Sequence, residues 1–201
     1  MEGQQIYTYI DSRWTPSPPW KPRAVIYDDQ QETLLNTALD FLESPTRATP
    51  DRLVCLLHGP TGTGKSTFAK YLAKTLHLSI YNIIASSDDD CVAAAFATLP
   101  GCCLVLIEDV NAVDPRFITS FLEAIKSLED SRIIIVTTRK LHEVDGAFKD
   151  PELVNQTIEF QLADKDRISL LFWTTFPDSR VEDQETFARK MSEQSLSFAE
   201  V

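Results

Sequence analysis

Apolar residues fall along this chain in two alternating rhythms. Short unbroken runs, Leu53-Val54-Cys55-Leu56-Leu57, Leu104-Val105-Leu106-Ile107 and Ile133-Ile134-Ile135-Val136, have the length and branching of strands covered on both faces. Other stretches carry helical spacing. Leu34, Leu35, Ala38, Leu39 and Leu42 share one face of a helix over 30–42, and Phe117, Ile118, Phe121, Leu122, Ile125 and Leu128 form one stripe over 116–129. Read in order, the pattern predicts strands at 53–58, 79–85, 103–108, 132–137 and 157–160, with further helices at 66–76 and 91–98. Strand–helix alternation of this kind implies an α/β fold: a parallel five-stranded sheet between two helical layers, joined by right-handed crossovers. From Asp164 the chain reads as helical, over 165–175 and 183–194.

The first stretch follows neither rhythm. Residues 11–23 hold four prolines, which fix φ and remove backbone donors, so an extended segment is expected there rather than a helix. Val25-Ile26-Tyr27 then enters the globular part, and 44–51 reads as a loop. The expected division is an extended N-terminal segment over 1–23, a nucleotide-binding domain over 24–163 and a partial helical lid over 164–201.

Composition narrows the partners. With 43 % hydrophobic residues in 201, the chain can bury a substantial core. Its formal charge of −11 opposes a nucleic-acid backbone or an anionic membrane surface as main partner, and no Lys/Arg run offsets it. No apolar stretch approaches a membrane span, and the polar start Met1-Glu2-Gly3-Gln4-Gln5 shows neither signal nor transit peptide. The default expectation is an intracellular, cytoplasmic protein. The four cysteines, Cys55, Cys91, Cys102 and Cys103, form no C-x-x-C pair and are expected reduced and buried.

The chemistry concentrates in Gly59-Pro60-Thr61-Gly62-Thr63-Gly64-Lys65-Ser66-Thr67, which fits G-x-x-x-x-G-K-S/T at every fixed position, between a strand and a helix. Such a loop, a Walker A motif, wraps phosphates in backbone N–H groups with a helix N-terminus behind them. Lys65 would reach the outer phosphates of ATP and the Ser66 hydroxyl would hold Mg²⁺. A second motif, Leu104-Val105-Leu106-Ile107-Glu108-Asp109, ends a later strand in two carboxylates. In a phosphate-loop sheet such a strand end supplies the Mg²⁺ shell and a group that polarises the attacking water. The next strand ends Val136-Thr137-Thr138-Arg139, where Thr138 would touch the γ-phosphate or the water, although threonines also end strands simply as good β-formers.

These motifs in this order resemble the AAA ATPases, a class of P-loop NTPase. Within them they resemble the Bcs type, the mitochondrial Rieske iron–sulfur protein translocases and their relatives. The matching stretches include Trp20-Lys21-Pro22-Arg23, Leu99-Pro100-Gly101 leading into Glu108-Asp109-Val110, and Ile158-Glu159-Phe160-Gln161-Leu162-Ala163-Asp164. The resemblance runs from about residue 6 onward. It implies that Glu108 is the magnesium-side carboxylate, Asp109 the catalytic base, and a protein client or partner subunit the object of the work. Mitochondria enter only by analogy with the family.

Three departures restrict the activity that the resemblance implies. Where the family carries an Asn that senses the γ-phosphate, this chain has Arg139. Where it carries two arginines that reach a neighbouring subunit's nucleotide, gapless counting places Asp150 and Leu153. An arginine finger contributes about 10³–10⁵ in rate, so an oligomer of this chain would not complement itself. The stretch from Asp164 onward is also shorter than the family's helical lid, as expected either of a fragment of a larger protein or of a reduced standalone form. The expectation is an ATP-binding module with weak or partner-dependent hydrolysis of ATP to ADP and phosphate, acting in remodelling or assembly. A nucleotide-gated interaction module without turnover is the alternative. A small-molecule kinase is disfavoured by the acidic Ser86-Ser87-Asp88-Asp89-Asp90 and by the scarcity of basic residues near the C-terminus.

Overall fold

The computed structural model describes residues 5–18, 20, 25–43, 52–84, 89–111, 114–128 and 131–192. The Lys21-Pro22-Arg23 match, the 44–51 loop, residues 86–88 of the acidic run and the last stretch, 193–201, lie outside the described residues.

Among the described residues seven strands form one sheet in the order β2-β1-β4-β5-β6-β3-β7. They are β1 (Ile6–Ile10), β2 (Arg13–Pro16), β3 (Arg52–His58), β4 (Ser79–Ile84), β5 (Cys103–Glu108), β6 (Arg132–Thr138) and β7 (Gln156–Glu159). The five strands expected from hydrophobic runs are all present and parallel. The expected strand count is corrected by the hairpin β1–β2, which lies where an extended segment was read. β1 pairs parallel with β4, Ile6 opposite Ile80, and antiparallel with β2, Tyr7 opposite Pro16. Proline is tolerated because β2 is the sheet's edge and needs no second ladder. Asp11 and Ser12 make the turn at φ 50° and 59°, a geometry that short polar side chains tolerate. At this end of the sheet Tyr7 stacks on Tyr81, and Trp14 meets Tyr9 and Tyr81 edge-on.

Alternation along each central strand divides the core in two. Val54, Leu56, Val105, Ile107, Ile134 and Val136 face one layer, with α3 (Asp89–Ala97) and α4 (Pro115–Lys126). Leu53, Cys55, Leu57, Leu104, Leu106, Ile133 and Ile135 face the other, with α1 (Asp29–Glu43) and α2 (Lys65–Thr75). This is why these strands read as unbroken apolar runs. α5 (Lys165–Thr175) and α6 (Val181–Ser192) pack on each other around Ile168 and Ala188, a small cluster of their own. Cys55 and Cys103 are buried, and burial pushes the Cys55 thiol up to about 12. Cys102 is exposed, against the expectation of burial, because it sits in the turn before β5.

Helix starts are capped by the side chains that sequence logic favours. Asp114 accepts from the N–H of Arg116 ahead of Pro115, and Asp164 from that of Arg167. At α1, Asp28 Oδ1 accepts from the N–H groups of Gln30 and Gln31, while Gln31 Oε1 accepts from the N–H of Asp28. That reciprocal arrangement is a capping box.

Candidate nucleotide site

The loop between β3 and α2 is built around three glycines with positive φ: Gly59 at 141°, Gly62 at 80° and Gly64 at 96°. A Cβ on Gly59 would collide with the carbonyl oxygen of Phe160, so only glycine lets β7 close against β3 here. At Gly64 no atom stands within 4 Å of an added Cβ, so glycine is required there for its conformation alone. The turn leaves backbone N–H groups at the start of α2 without helical acceptors, the arrangement that binds anions.

Lys65 is the first residue of α2 and is buried. Its ammonium donates back to the carbonyls of Gly59 at 2.6 Å and Pro60 at 2.7 Å. Thr63 Oγ1 donates to the Pro60 carbonyl at 2.9 Å, tightening the same turn. Burial holds the Lys65 ammonium below its ordinary value; the Asp109 carboxylate opposes that shift and the Arg139 guanidinium adds to it. Among the described residues the ammonium's hydrogen bonds go to loop carbonyls, and a buried cation so held is fitted to an incoming polyanion, which would replace those carbonyls with charge-assisted contacts.

Next to the loop, the ends of β5 and β6 bring the carboxylates in. Glu108 Oε2 accepts from Asn82 Nδ2 on β4 at 3.0 Å. Asp109 sits at φ 60°, which turns the chain out of the strand. Its N–H donates to Thr137 Oγ1 at 3.0 Å. Asp109 Oδ1 receives Arg139 Nε at 3.0 Å and also Asn111 Nδ2. Asn111 Oδ1 in turn accepts from the Thr138 hydroxyl at 2.7 Å and from the Arg139 N–H at 3.0 Å. Asn111 thus ties the end of β5 to the end of β6.

A cavity of about 900 Å³ joins these parts. Its lining is polar at the 61–67 loop, Glu108, Asp109, Thr137 and Arg139, and apolar at the other end, with Val25, Ile26, Leu171, Phe172 and Phe176 among its walls, while Phe160 lies beside the loop at Gly59. The structure therefore brings Thr61 to Thr67, Glu108 and Asp109 to one opening. Thr138 is placed differently: it is fully buried and its hydroxyl is committed to Asn111, while Thr137 lines the cavity. Arg139, read as a replacement for a sensing Asn, pairs with Asp109 across side chains 55 % and 52 % exposed. Of the two positions where arginines were expected, Asp150 is exposed and Leu153 is buried in the core.

Sequence reasoning missed Asn82, Asn111 and the apolar walls. A polar residue within the apolar 80–83 run, and an Asn two places after the Glu-Asp pair, were the available signals. The walls from α5 carried no local signal, because nothing in their spacing says which core element they face.

Phosphate loop, strand-end carboxylates and a small helical unit over a parallel sheet define the AAA class of P-loop nucleotide-binding proteins. The sequence model for the ATPase family associated with various cellular activities (AAA) matches residues 55–162, and the chain belongs to that family. Within it the chain is of the Bcs type. It is 26 % identical to the mitochondrial chaperone BCS1 of Bos taurus, over 94 % of this chain and 53 % of that protein. Its likeness to an AAA-ATPase of Arabidopsis thaliana is 32 % over 54 % of this chain and 25 % of that one. The chain thus spans about half the length of the BCS1 relatives it matches along nearly all of its own length. Among solved structures, one described as the structural basis for katanin self-assembly superposes with a TM-score of 0.63 at 19 % identity, covering 83 % of this chain and 63 % of that one. The FIGL-1 AAA domain in complex with ADP gives 0.61 at 19 % identity, covering 80 % and 63 %. At that identity both speak for the fold alone.

Proposed function

We propose that this chain is a magnesium–ATP-binding module whose hydrolysis is weak or completed by a partner, and that it acts in remodelling or assembly of another protein. The observation that carries this reading is the buried Lys65 ammonium, held over loop carbonyls at the polar end of a cavity that also takes in Glu108 and Asp109. The loop N–H groups, Lys65 and Thr67 would hold the phosphates. Ser66 and Glu108 would hold Mg²⁺, which when bound neutralises charge on the phosphate oxygens. Asp109 would take the proton of the attacking water, with Oδ1 steadied by Arg139 and Asn111. Thr137 holds the backbone of Asp109 in place. For Thr138 we propose an indirect part, through Asn111.

Slow turnover is supported by what stands at the family's arginine positions. Leu153 belongs to the core and Asp150 carries the opposite charge, so a second copy would bring no guanidinium from these positions. The same observation favours the second reading, in which ATP binding alone switches assembly with a partner. Several curated relatives are named mitochondrial or probable mitochondrial chaperones, which makes the organelle the first compartment to test by fractionation against the cytoplasm. Among the described residues no helix is long and apolar enough to cross a membrane.

ATP binding and turnover on the purified chain decide the matter, with Lys65→Ala and Asp109→Asn as controls. Binding lost in the first and retained in the second, with turnover lost in both, supports the site. Wild-type protein that binds no ATP sinks it. Binding without turnover in the presence of candidate partners leaves the switching reading.

A further inference from the structure

The apolar end of the cavity is framed by two chain segments that belong to different packing units. One is 25–28, running into α1; the other is α5 with its loop to α6. Their cores are separate: Val25 packs on the sheet layer beneath α2, while Ile168 belongs to the α5–α6 cluster. Tyr27 anchors the first segment further by packing against Tyr71 and Phe68 of α2. Among the described residues one ion pair joins the two segments: Arg167 Nη2 reaches Asp28 Oδ2 at 2.6 Å, with side chains 21 % and 29 % exposed. Both residues sit where helices begin. Asp28 caps α1 through its other oxygen, and Arg167 lies in the first turn of α5, with its Nε 3.8 Å from Asp164 Oδ2, the cap of that helix. The guanidinium therefore spans two N-cap carboxylates, in a neighbourhood that also presents Asp29 and Glu159.

The position of this pair matters more than its strength. Asp28 lies two residues past the wall residue Ile26, and Arg167 lies one helical turn before the wall residue Leu171. The pair thus links the two walls at the apolar end, and among the described residues its polar contacts include neither the 59–67 loop nor Glu108 nor Asp109. We propose that the Asp28–Arg167 pair positions the nucleoside end of the site, so that it governs affinity for a nucleotide's base and sugar and leaves phosphate binding unchanged. This rests on the reading of the cavity as a nucleotide site. Both are positioning residues, acting through Ile26 and Leu171.

The test compares two probes on the full chain by calorimetry: magnesium–ATP, which fills both ends, and magnesium–tripolyphosphate, which fills only the phosphate end. Asp28→Asn is the mild variant, because Asn still caps a helix while the charge is lost. Asp28→Asn and Arg167→Gln are each expected to weaken ATP about tenfold, a coupling of about 1.4 kcal/mol, with tripolyphosphate affinity unchanged. The double variant is expected to be no weaker than either single one, since the pair acts as a unit. Equal losses for both probes, or unchanged ATP affinity in both single variants, overturn the inference and leave the nucleotide site standing. A wild-type chain that binds neither probe overturns the nucleotide reading and the inference together.

Discussion

At the scale of single residues, two positions carry constraints that chemistry alone would not reveal. Gly59 is required by a neighbour one hundred residues away in the chain, the carbonyl of Phe160. Gly59→Ala is expected to destabilise the fold by about 3 kcal/mol, because the methyl group must displace β7 from β3; denaturant unfolding measures it. His58, the last residue of β3, is held below its ordinary value mainly by burial, with Glu159 opposing and Lys65 assisting. In the window below the ordinary value of 6.5 the unfolded chain therefore binds more protons than the folded one. Stability contributed by neutral His58 is present above that value and is lost as pH falls through the window. His58→Gln should flatten the stability curve there, and equal slopes in the two proteins would remove His58 as the cause.

At the scale of elements, the sheet was largely legible. The strands expected at 53–58 and 103–108 are found as β3 (Arg52–His58) and β5 (Cys103–Glu108), because apolar runs of that length have few other solutions. The hairpin β1–β2 was not legible. Its residues alternate weakly and hold a proline, and only β4 beside it makes a strand of Ile6–Ile10. The edge strand β7 shows the same dependence at the other end. Asn155 Oδ1 accepts from the N–H of Val54 at 2.8 Å, and its own N–H donates to the Val54 carbonyl at 2.8 Å. Val54 is fully buried, so Asn155→Ala leaves a buried donor unsatisfied. A loss of about 1–3 kcal/mol is expected, with faster hydrogen exchange along β7 than elsewhere in the sheet.

At the scale of the whole molecule, the site lies between a sheet that packs as two thick layers and a small α5–α6 unit with a modest core of its own. A nucleotide touching both would act as a tether. At one hundred times its dissociation constant, magnesium–ATP should stabilise the chain by about 2.7 kcal/mol, or about 5–10 °C in melting temperature for a chain of this size. Lys65→Ala should show no such shift in a thermal melt. The sequence by itself determined the central strands and the phosphate loop with its two carboxylates. Each of these is written in local spacing and in residues whose chemistry has few alternatives. Tertiary structure alone decided that Thr137 rather than Thr138 faces the cavity, that Asn111 joins two strand ends, that Leu153 is core, and that Arg167 meets Asp28. Those outcomes depend on which strand face and which helix turn meet across long separations in the chain, and local spacing does not encode that.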